Sequence, residues 1–393
     1  MMSAPSHTIP KAGVGSVIFA GGGTGGHIFP ALAICEALSD LPEAGSIRRI
    51  AIGAKRSLDE DLLAEAARRG EIDSFLTIPA QPFGVRPKAF IKLIRQWGTC
   101  VRETRMLIRD ERERTQRDPV IVAMGGYVAA PPVRAAITEG CPIVLVNLDA
   151  VPGKANRWIA RRADQRFVVG RGSDLFEPMD SIEINPIVRR QIVDVPAQAE
   201  ARRQLDLDPD RPTLLVTGGS LGARTVNAFM TAFAGAFAEQ LSADGWQILH
   251  QCGREDKEEL IRAYAHAGIP ALVAPRIEHM GLAWAAADAA VCRAGAGTVA
   301  EVWASQTPAL FLPYPFHKDA HQRLNAATIC DPEAGILGVD RIDPAKNLRD
   351  NGPILMAMLS DSALRQRMAD MLSDYGPADG AQRIARSVAT LLG

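Results

Sequence analysis

Charge of one sign is what this sequence lacks first. It carries 44 Lys and Arg against 45 Asp and Glu, a net charge of −1. With no global positive field, nucleic acid is argued against as the main partner, and any membrane contact must come from a local patch. Stretches of about 18 uninterrupted apolar residues are absent, so nothing is expected to span a bilayer. The N-terminal run MMSAPSHTIPKAG has no long apolar core after a basic start, so no signal peptide is read there. Six cysteines (35, 100, 141, 252, 292 and 330) are scattered without a CxxC pair. They read as small buried hydrophobes in a reduced compartment, not as disulfides or a zinc site. Aromatic residues are scarce at 5%, whereas 34 Gly and 26 Pro fit many strand-to-helix turns. The cytoplasm is the expected location.

What is present is ordinary for a well-cored enzyme: 393 residues, 47% hydrophobic and 23% charged. That length suggests two domains or three. Short apolar runs alternate with amphipathic stretches. Residues 15–20, 48–53, 74–78, 119–124, 142–148 and 166–170 read as buried strands, with helical patterns near 29–40, 58–70, 86–117, 129–139 and 154–163. The rhythm restarts with strands at 213–217, 246–251, 270–274, 288–292 and 307–312, and helices at 223–241, 254–268, 296–306 and 318–330. Strand, helix, strand in this order predicts an α/β chain with parallel sheets covered on both faces. The stretch 185–212, rich in Pro, Asp and Arg, is the expected boundary, and 342–393 reads as helices only. A weak internal repeat, VIFAGGGTGGHIFPAL at 17–32 and LLVTGGSLGARTVNAF at 214–229, predicts two doubly wound Rossmann-like domains facing across a cleft.

Four motifs carry chemistry. The first is Gly21 to His27, after a strand and opening a helix. Glycines let the backbone approach a ligand, and a helix N-terminus offers free N–H groups and partial positive charge. The run also fits GxGxxG, but the second strand ends Gly53-Ala54-Lys55 without the acid that a dinucleotide ribose wants. His27, at the helix mouth, is a candidate general base, with a plain helix-end histidine as the alternative. The second motif, Gly218 to Arg224, repeats the physics: Ser220 offers a hydroxyl, and the helix dipole suits a diphosphate leaving group. The third, Arg293 to Glu301, again presents backbone N–H groups. Glu301 could take both hydroxyls of a ribose, or merely complete a capping interaction with Thr298. The fourth is Phe316 to Ala326. His317 and His321 have possible metal spacing, but no HExxH and no acid cluster support it, so no metal is expected. A basic-faced helix at 86–117 carries Arg86, Lys88, Lys92, Arg95, Arg102, Arg105, Arg109, Arg112, Arg114 and Arg117. It reads either as a solvated face or, with Phe83 and Val85 before it, as a contact for anionic lipid.

Seven runs in order resemble the MurG family of GT-B glycosyltransferases. They are GGGTGGHIFPALAI (21–34), MGGYVAAP (124–131), VPGKANRW (151–158), NPIVRR (185–190), GGSLGARTVN (218–227), the 293–301 pattern and HKDAHQRLNA (317–326). The resemblance implies a metal-independent, cofactor-free, inverting transfer of GlcNAc from UDP-GlcNAc to the 4-hydroxyl of MurNAc in undecaprenyl-pyrophosphoryl-MurNAc-pentapeptide. It implies that Thr24, Gly25 and Gly26 belong to the substrate-binding turn, with His27 near the acceptor and Tyr127 in the acceptor region. Ser220 and Arg189 would serve the diphosphate, and Ile277 would lie against the uracil. Ala296, Gly297, Thr298, Val299, Ala300 and Glu301 would wrap phosphates and ribose, and Gln322 would hold sugar hydroxyls. His27 is the first choice of base and Asp149 the second. Residues 1–186 would form the acceptor and membrane-side domain and 187–375 the donor domain, with the last helix, 376–393, crossing back onto the first. The 83–109 region would touch the cytoplasmic face of the membrane, making the protein peripheral there. One departure is plain: where the family carries Glu-Gln-Asn, this chain has Asn147-Leu148-Asp149. The alternatives are a UDP-GlcNAc 2-epimerase, a transferase for another lipid acceptor, or a non-catalytic nucleotide-sugar-binding paralogue.

Overall fold

The computed structural model describes residues 15–23, 25–42, 47–81, 87–170, 176–177, 179–219, 222–254, 256–315 and 320–392, with 87–95 described by backbone alone. The first half runs β1 (Gly15–Ala20), α1 (Gly25–Ser39), β2 (Ile47–Ala54), α2 (Ser57–Arg68), β3 (Ser74–Ile78) and α3 (Pro87–Thr115). It continues β4 (Val120–Ala123), α4 (Gly126–Glu139), β5 (Ile143–Asn147), α5 (Lys154–Ala160), β6 (Gln165–Val169) and β7 (Ile182–Ile184). Two short helices follow, α6 (Arg190–Val193) and α7 (Gln198–Gln204). The second half runs β8 (Thr213–Thr217), α8 (Arg224–Ala236), α9 (Ala238–Ala243), β9 (Gln247–Gln251), α10 (Lys257–His266) and β10 (Ala271–Ala274). Then come α11 (Met280–Ala286), β11 (Ala289–Cys292), α12 (Ala296–Ser305), β12 (Ala309–Phe311), α13 (His321–Cys330) and β13 (Ile336–Leu337). Three helices finish the chain: α14 (Pro344–Ser360), α15 (Ser362–Asp374) and α16 (Gly380–Leu392).

The strands form two all-parallel sheets, ordered β3-β2-β1-β4-β5-β6-β7 and β10-β9-β8-β11-β12-β13. Every residue of β1 is buried, because it lies inside its sheet with helices on both faces. Val17 and Phe19 enter one core layer while Ile18 and Ala20 enter the other. In β8 the split is Leu214 and Val216 against Leu215. A strand buried on both faces needs apolar side chains at consecutive positions, so these strands read as unbroken hydrophobic runs. The two expected doubly wound domains are therefore present.

Strand order reverses between β1 and β4 and again between β8 and β11. Such switch points open a crevice at the carboxyl ends of the strands. All four strand ends there lead into glycine-containing turns: Gly21–Gly23, Gly125–Gly126, Gly218–Gly222 and Gly295–Gly297. The last helix, α16, packs on α1, β1 and β4 through Ile384, Ala385, Val388 and Leu392. Among the described residues no helix is long and apolar enough to cross a membrane. All six cysteines are free thiols, five of them buried.

The structure adds elements that periodicity misses. β7 and β13 are three and two residues long, too short for a pattern. The helix expected over 223–241 breaks at Phe237, where φ is −120°, giving α8 and α9.

Candidate active site

The first glycine turn is shaped by contact with the protein itself. A Cβ at Gly21 would lie 2.8 Å from Met124 Cβ, one at Gly22 2.3 Å from Asp59 Oδ2, and one at Gly23 2.8 Å from Tyr127 Oη. Gly23 also has φ +83°, the left-handed region that favours glycine. Asp59, fully buried in the first turn of α2, accepts from the N–H of Gly23 (2.7 Å) and of Ala54 (2.8 Å) through Oδ2. An acid thus does reach the end of β2, five residues past it, but backbone amides occupy its oxygen.

His27 stands one turn below, in α1. Its ring lies against Gly126, where a Cβ would come within 3.1 Å of Cε1. A ring N–H donates to the Gly22 carbonyl. Burial pushes the imidazole below its ordinary value, while the charge of Asp149, the Gly22 carbonyl and the charge of Asp59 pull the other way. Such a ring is neutral near pH 7, the form a base must have. Tyr127 begins α4. Its hydroxyl is buried without a partner, and the Arg56 guanidinium lies 5.8 Å from its ring centre.

Asp149, in the loop after β5, meets the second half. Asn325 Nδ2 donates to Asp149 Oδ1 (3.0 Å) and to the Ala294 carbonyl (3.3 Å), while Asn325 Oδ1 accepts from the Ala150 N–H (2.8 Å). This buried amide joins the His27 side of the cleft to the mouth of α12. Asn147 braces the loop, donating to the Asp149 carbonyl and accepting from Asn156.

The donor-side turns are mixed. A Cβ at Gly218 would lie 2.5 Å from Ala223 Cβ and one at Gly222 2.4 Å from the Cys252 carbonyl oxygen, whereas one at Gly219, Gly295 or Gly297 would meet no atom within 4 Å among the described residues. The N-terminus of α12 carries no side-chain cap. Within that helix Ala296 to Ala300 line the first turn, and Glu301 accepts from Trp284 Nε1 at 2.9 Å. Burial pushes the Glu301 carboxyl up to about 7. Gln251 ties the site together from β9: it donates to the Gly219 carbonyl (3.1 Å) and accepts from the Ile277 N–H (2.8 Å). Ile277 is nearly buried. Gln322, in the first turn of α13, accepts from the Tyr314 N–H at 2.9 Å.

Arg189, expected at a diphosphate, pairs its guanidinium with Glu36 (2.5 Å) and Glu71 (2.8 Å) in this structure. Two carboxylates satisfy Arg189, which pins the segment after β7 to α1. The basic face of α3 is also partly internal. Arg105, Arg109 and Arg112 converge on Glu139, and hydrogen bonds from Arg109 and Arg105 hold its carboxyl down at about 2. Thr24, Ser220, His317, Phe83, Val85 and Arg86 lie outside the described residues. Among those described, no three His, Cys, Asp or Glu side chains group to hold a metal ion.

Residues 17–168 match the N-terminal domain of glycosyltransferase family 28 and residues 213–373 its C-terminal domain. The UDP-N-acetylglucosamine–N-acetylmuramyl-(pentapeptide) pyrophosphoryl-undecaprenol N-acetylglucosamine transferase of Nocardioides sp. is 36% identical over 380 residues, 95% of this chain and 98% of that one. Its namesake from Streptomyces coelicolor is 37% identical over 369 residues, 92% and 94% of the two chains. The chain belongs to glycosyltransferase family 28, and within it to the MurG group. The crystal structure of Acinetobacter baumannii MurG superposes with a TM-score of 0.69 at 23% identity, covering 96% of this chain and 99% of that one. A UDP-N-acetylglucosamine 2-epimerase gives 0.63 at 13% identity over 94% of each chain, so the fold alone is shared with the epimerase alternative. For this family 28 chain, sequence reading missed Asp59, Gln251 and Asn325 as site-building residues. Each acts on backbone far away in the chain, and only Asn325 sits inside a recognisable motif.

Proposed function

We propose that this protein transfers GlcNAc from UDP-GlcNAc to the 4-hydroxyl of MurNAc in undecaprenyl-pyrophosphoryl-MurNAc-pentapeptide, with inversion, in peptidoglycan synthesis. The names of its relatives, at 31–37% identity across almost the whole chain, support this reading. The observation that carries it is the Asn325 clasp, which joins the loop of Asp149, whose charge reaches His27, to the strand end that precedes α12. In this reading residues 1–186 with 376–393 form the acceptor half and 187–375 the donor half.

The acceptor hydroxyl attacks the anomeric carbon as the bond to UDP breaks, and a β-1,4 linkage forms in one displacement. His27 takes the hydroxyl proton, and Asp149 stabilises the imidazolium that results; Asp149 is the second choice of base. The acceptor lies over Gly25, Gly26 and Tyr127, with Thr24 beside them. Departing negative charge meets the N–H groups of α8 and α12 and the hydroxyl of Ser220. Fixed dipoles there do work that a metal ion does in other enzymes. Ile277 faces the uracil, Glu301 the ribose and Gln322 the sugar hydroxyls. Arg189 takes no part. Because the acceptor is a lipid, the protein works at the cytoplasmic face of the membrane. There α3 offers Met106, 58% exposed, beside exposed Arg102 and Arg109 on one helical face.

Labelled UDP-GlcNAc, with and without the lipid-linked acceptor and with EDTA present, tests the reading. Lipid-linked disaccharide and UDP are expected only with acceptor, and chelation should leave the rate intact. Conversion of UDP-GlcNAc without acceptor would make it an epimerase. Binding without turnover would make it a sensor, and loss of activity in EDTA would end the metal-free mechanism.

A further inference from the structure

Asp59 is a buried carboxylate that no sequence motif singles out and that the proposed reaction does not use. Oδ2 accepts two backbone N–H bonds, while Oδ1 is buried without a partner. A buried, half-satisfied carboxylate is destabilising, so its position calls for an explanation. The explanation lies in what the Gly23 N–H belongs to. It shares one peptide plane with the Gly22 carbonyl, and in a trans peptide the two groups point in opposite directions. Asp59 holds the N–H side at 2.7 Å, and His27 donates to the C=O side. Gly22 cannot carry a side chain, since a Cβ there would lie 2.3 Å from Asp59 Oδ2. Tyr127 closes the turn from the other side, 2.8 Å from where a Gly23 Cβ would stand. The plane therefore has little freedom to rotate.

We propose that Asp59 is a positioning residue that acts on His27 through the Gly22–Gly23 peptide. The carboxylate polarises the N–H, the polarised carbonyl becomes a stronger acceptor, and the imidazole N–H is held against it. One ring nitrogen then keeps its proton and the other stays unprotonated, the tautomer a base needs. A carboxylate does the same directly in the Ser-His-Asp arrangement, where it fixes the histidine's tautomer and orientation. Here a peptide stands between the two. The catalytic consequence rests on the reading of His27 as base; the control of its tautomer does not.

The test joins kinetics with nitrogen-15 NMR of histidine-labelled protein, the His27 signals being assigned by their loss in His27→Gln. In the unaltered protein His27 should be a single neutral tautomer near pH 8; a mixture of tautomers would overturn the proposal, whatever any variant does. Asp59→Asn should release the tautomer preference. It should lower kcat about 10–100-fold, the range for removing a partner one layer behind a reacting group. KM for UDP-GlcNAc should not change. Asp59→Glu, which restores the charge, should recover part of the kcat relative to Asp59→Asn. A folded Asp59→Asn protein with unchanged kcat and tautomer would overturn the proposal. So would a kcat loss accompanied by raised donor KM and lowered Tm with the tautomer intact, the pattern of a merely structural carboxylate. Turnover retained by His27→Gln would end the base reading while leaving the tautomer result to stand or fall separately.

Discussion

Two of the glycine-lined helix mouths, those of α1 and α12, use glycine for opposite reasons. At Gly21–Gly23 the missing side chains make room for the protein: Met124, Asp59 and Tyr127 fill the space to within 2.3–2.8 Å of where each Cβ would stand. At Gly295 and Gly297 the missing side chains leave space that nothing described fills. One turn is a rigid support that holds His27 and its carbonyl partner. The other leaves room at its helix mouth among the described residues. The same residue type in a similar strand–turn–helix setting thus serves internal packing on one side and leaves open space on the other.

His27→Ala should separate the two mouths most sharply. Turnover is expected to fall on the order of 10²–10⁴-fold, the usual weight of a general base, with UDP affinity by calorimetry nearly intact. Unchanged turnover would remove His27 from the base role. Gly22→Ala comes next. Its Cβ would collide with Asp59, so stability should drop by about 1–3 kcal/mol in urea unfolding, as for overpacked cores. Gly297→Ala should do the reverse. The helix gains up to about 1 kcal/mol in propensity, so Tm should hold or rise, while KM for UDP-GlcNAc increases. Equal effects of the two substitutions on stability would erase the distinction.

Two pH effects are smaller. Glu301 titrates at about 7 because burial disfavours its charge. The ionised form accepts ribose hydroxyls best, so KM for UDP-GlcNAc should fall as pH rises through about 7, and Glu301→Gln should flatten that dependence. Behind the α8 mouth, His250 is buried and pushed down to about 3. As a neutral ring it is fully satisfied: it accepts from the Tyr264 hydroxyl (2.7 Å) and donates to Asn227 Oδ1 (3.1 Å). Its folded value lies below the unfolded one, so the unfolded chain binds the extra proton. Stability should be full above pH ~6.5 and decline as pH falls toward about 3. Denaturant midpoints at several pH values check this, and His250→Gln should reduce the slope.

Much of the fold was legible in the chain itself. Buried parallel strands need consecutive apolar residues, amphipathic helices need a 3.6-residue period, and glycine-rich turns announce the helix mouths. Each is a short-range requirement written in adjacent residues. β7 and β13 were hidden because two or three residues carry no period. Of the candidate site, the glycine turns and the positions of His27 and Glu301 near the starts of their helices were legible in the sequence. Asp59, Gln251 and Asn325 could not, because each reaches a backbone group that spacing does not reveal.

Linear order alone determined the strand and helix rhythm, the two parallel sheets around paired glycine turns, and membership of a family whose motifs recur in sequence. Tertiary structure decided the partners of long or buried polar side chains. Arg189 went to Glu36 and Glu71, three arginines of α3 went to Glu139, and Asp59 went beneath Gly23. The physical reason is reach. Hydrophobic periodicity is settled within a few residues, whereas a charged or amide group bonds whichever complementary atom the completed fold brings within about 3 Å.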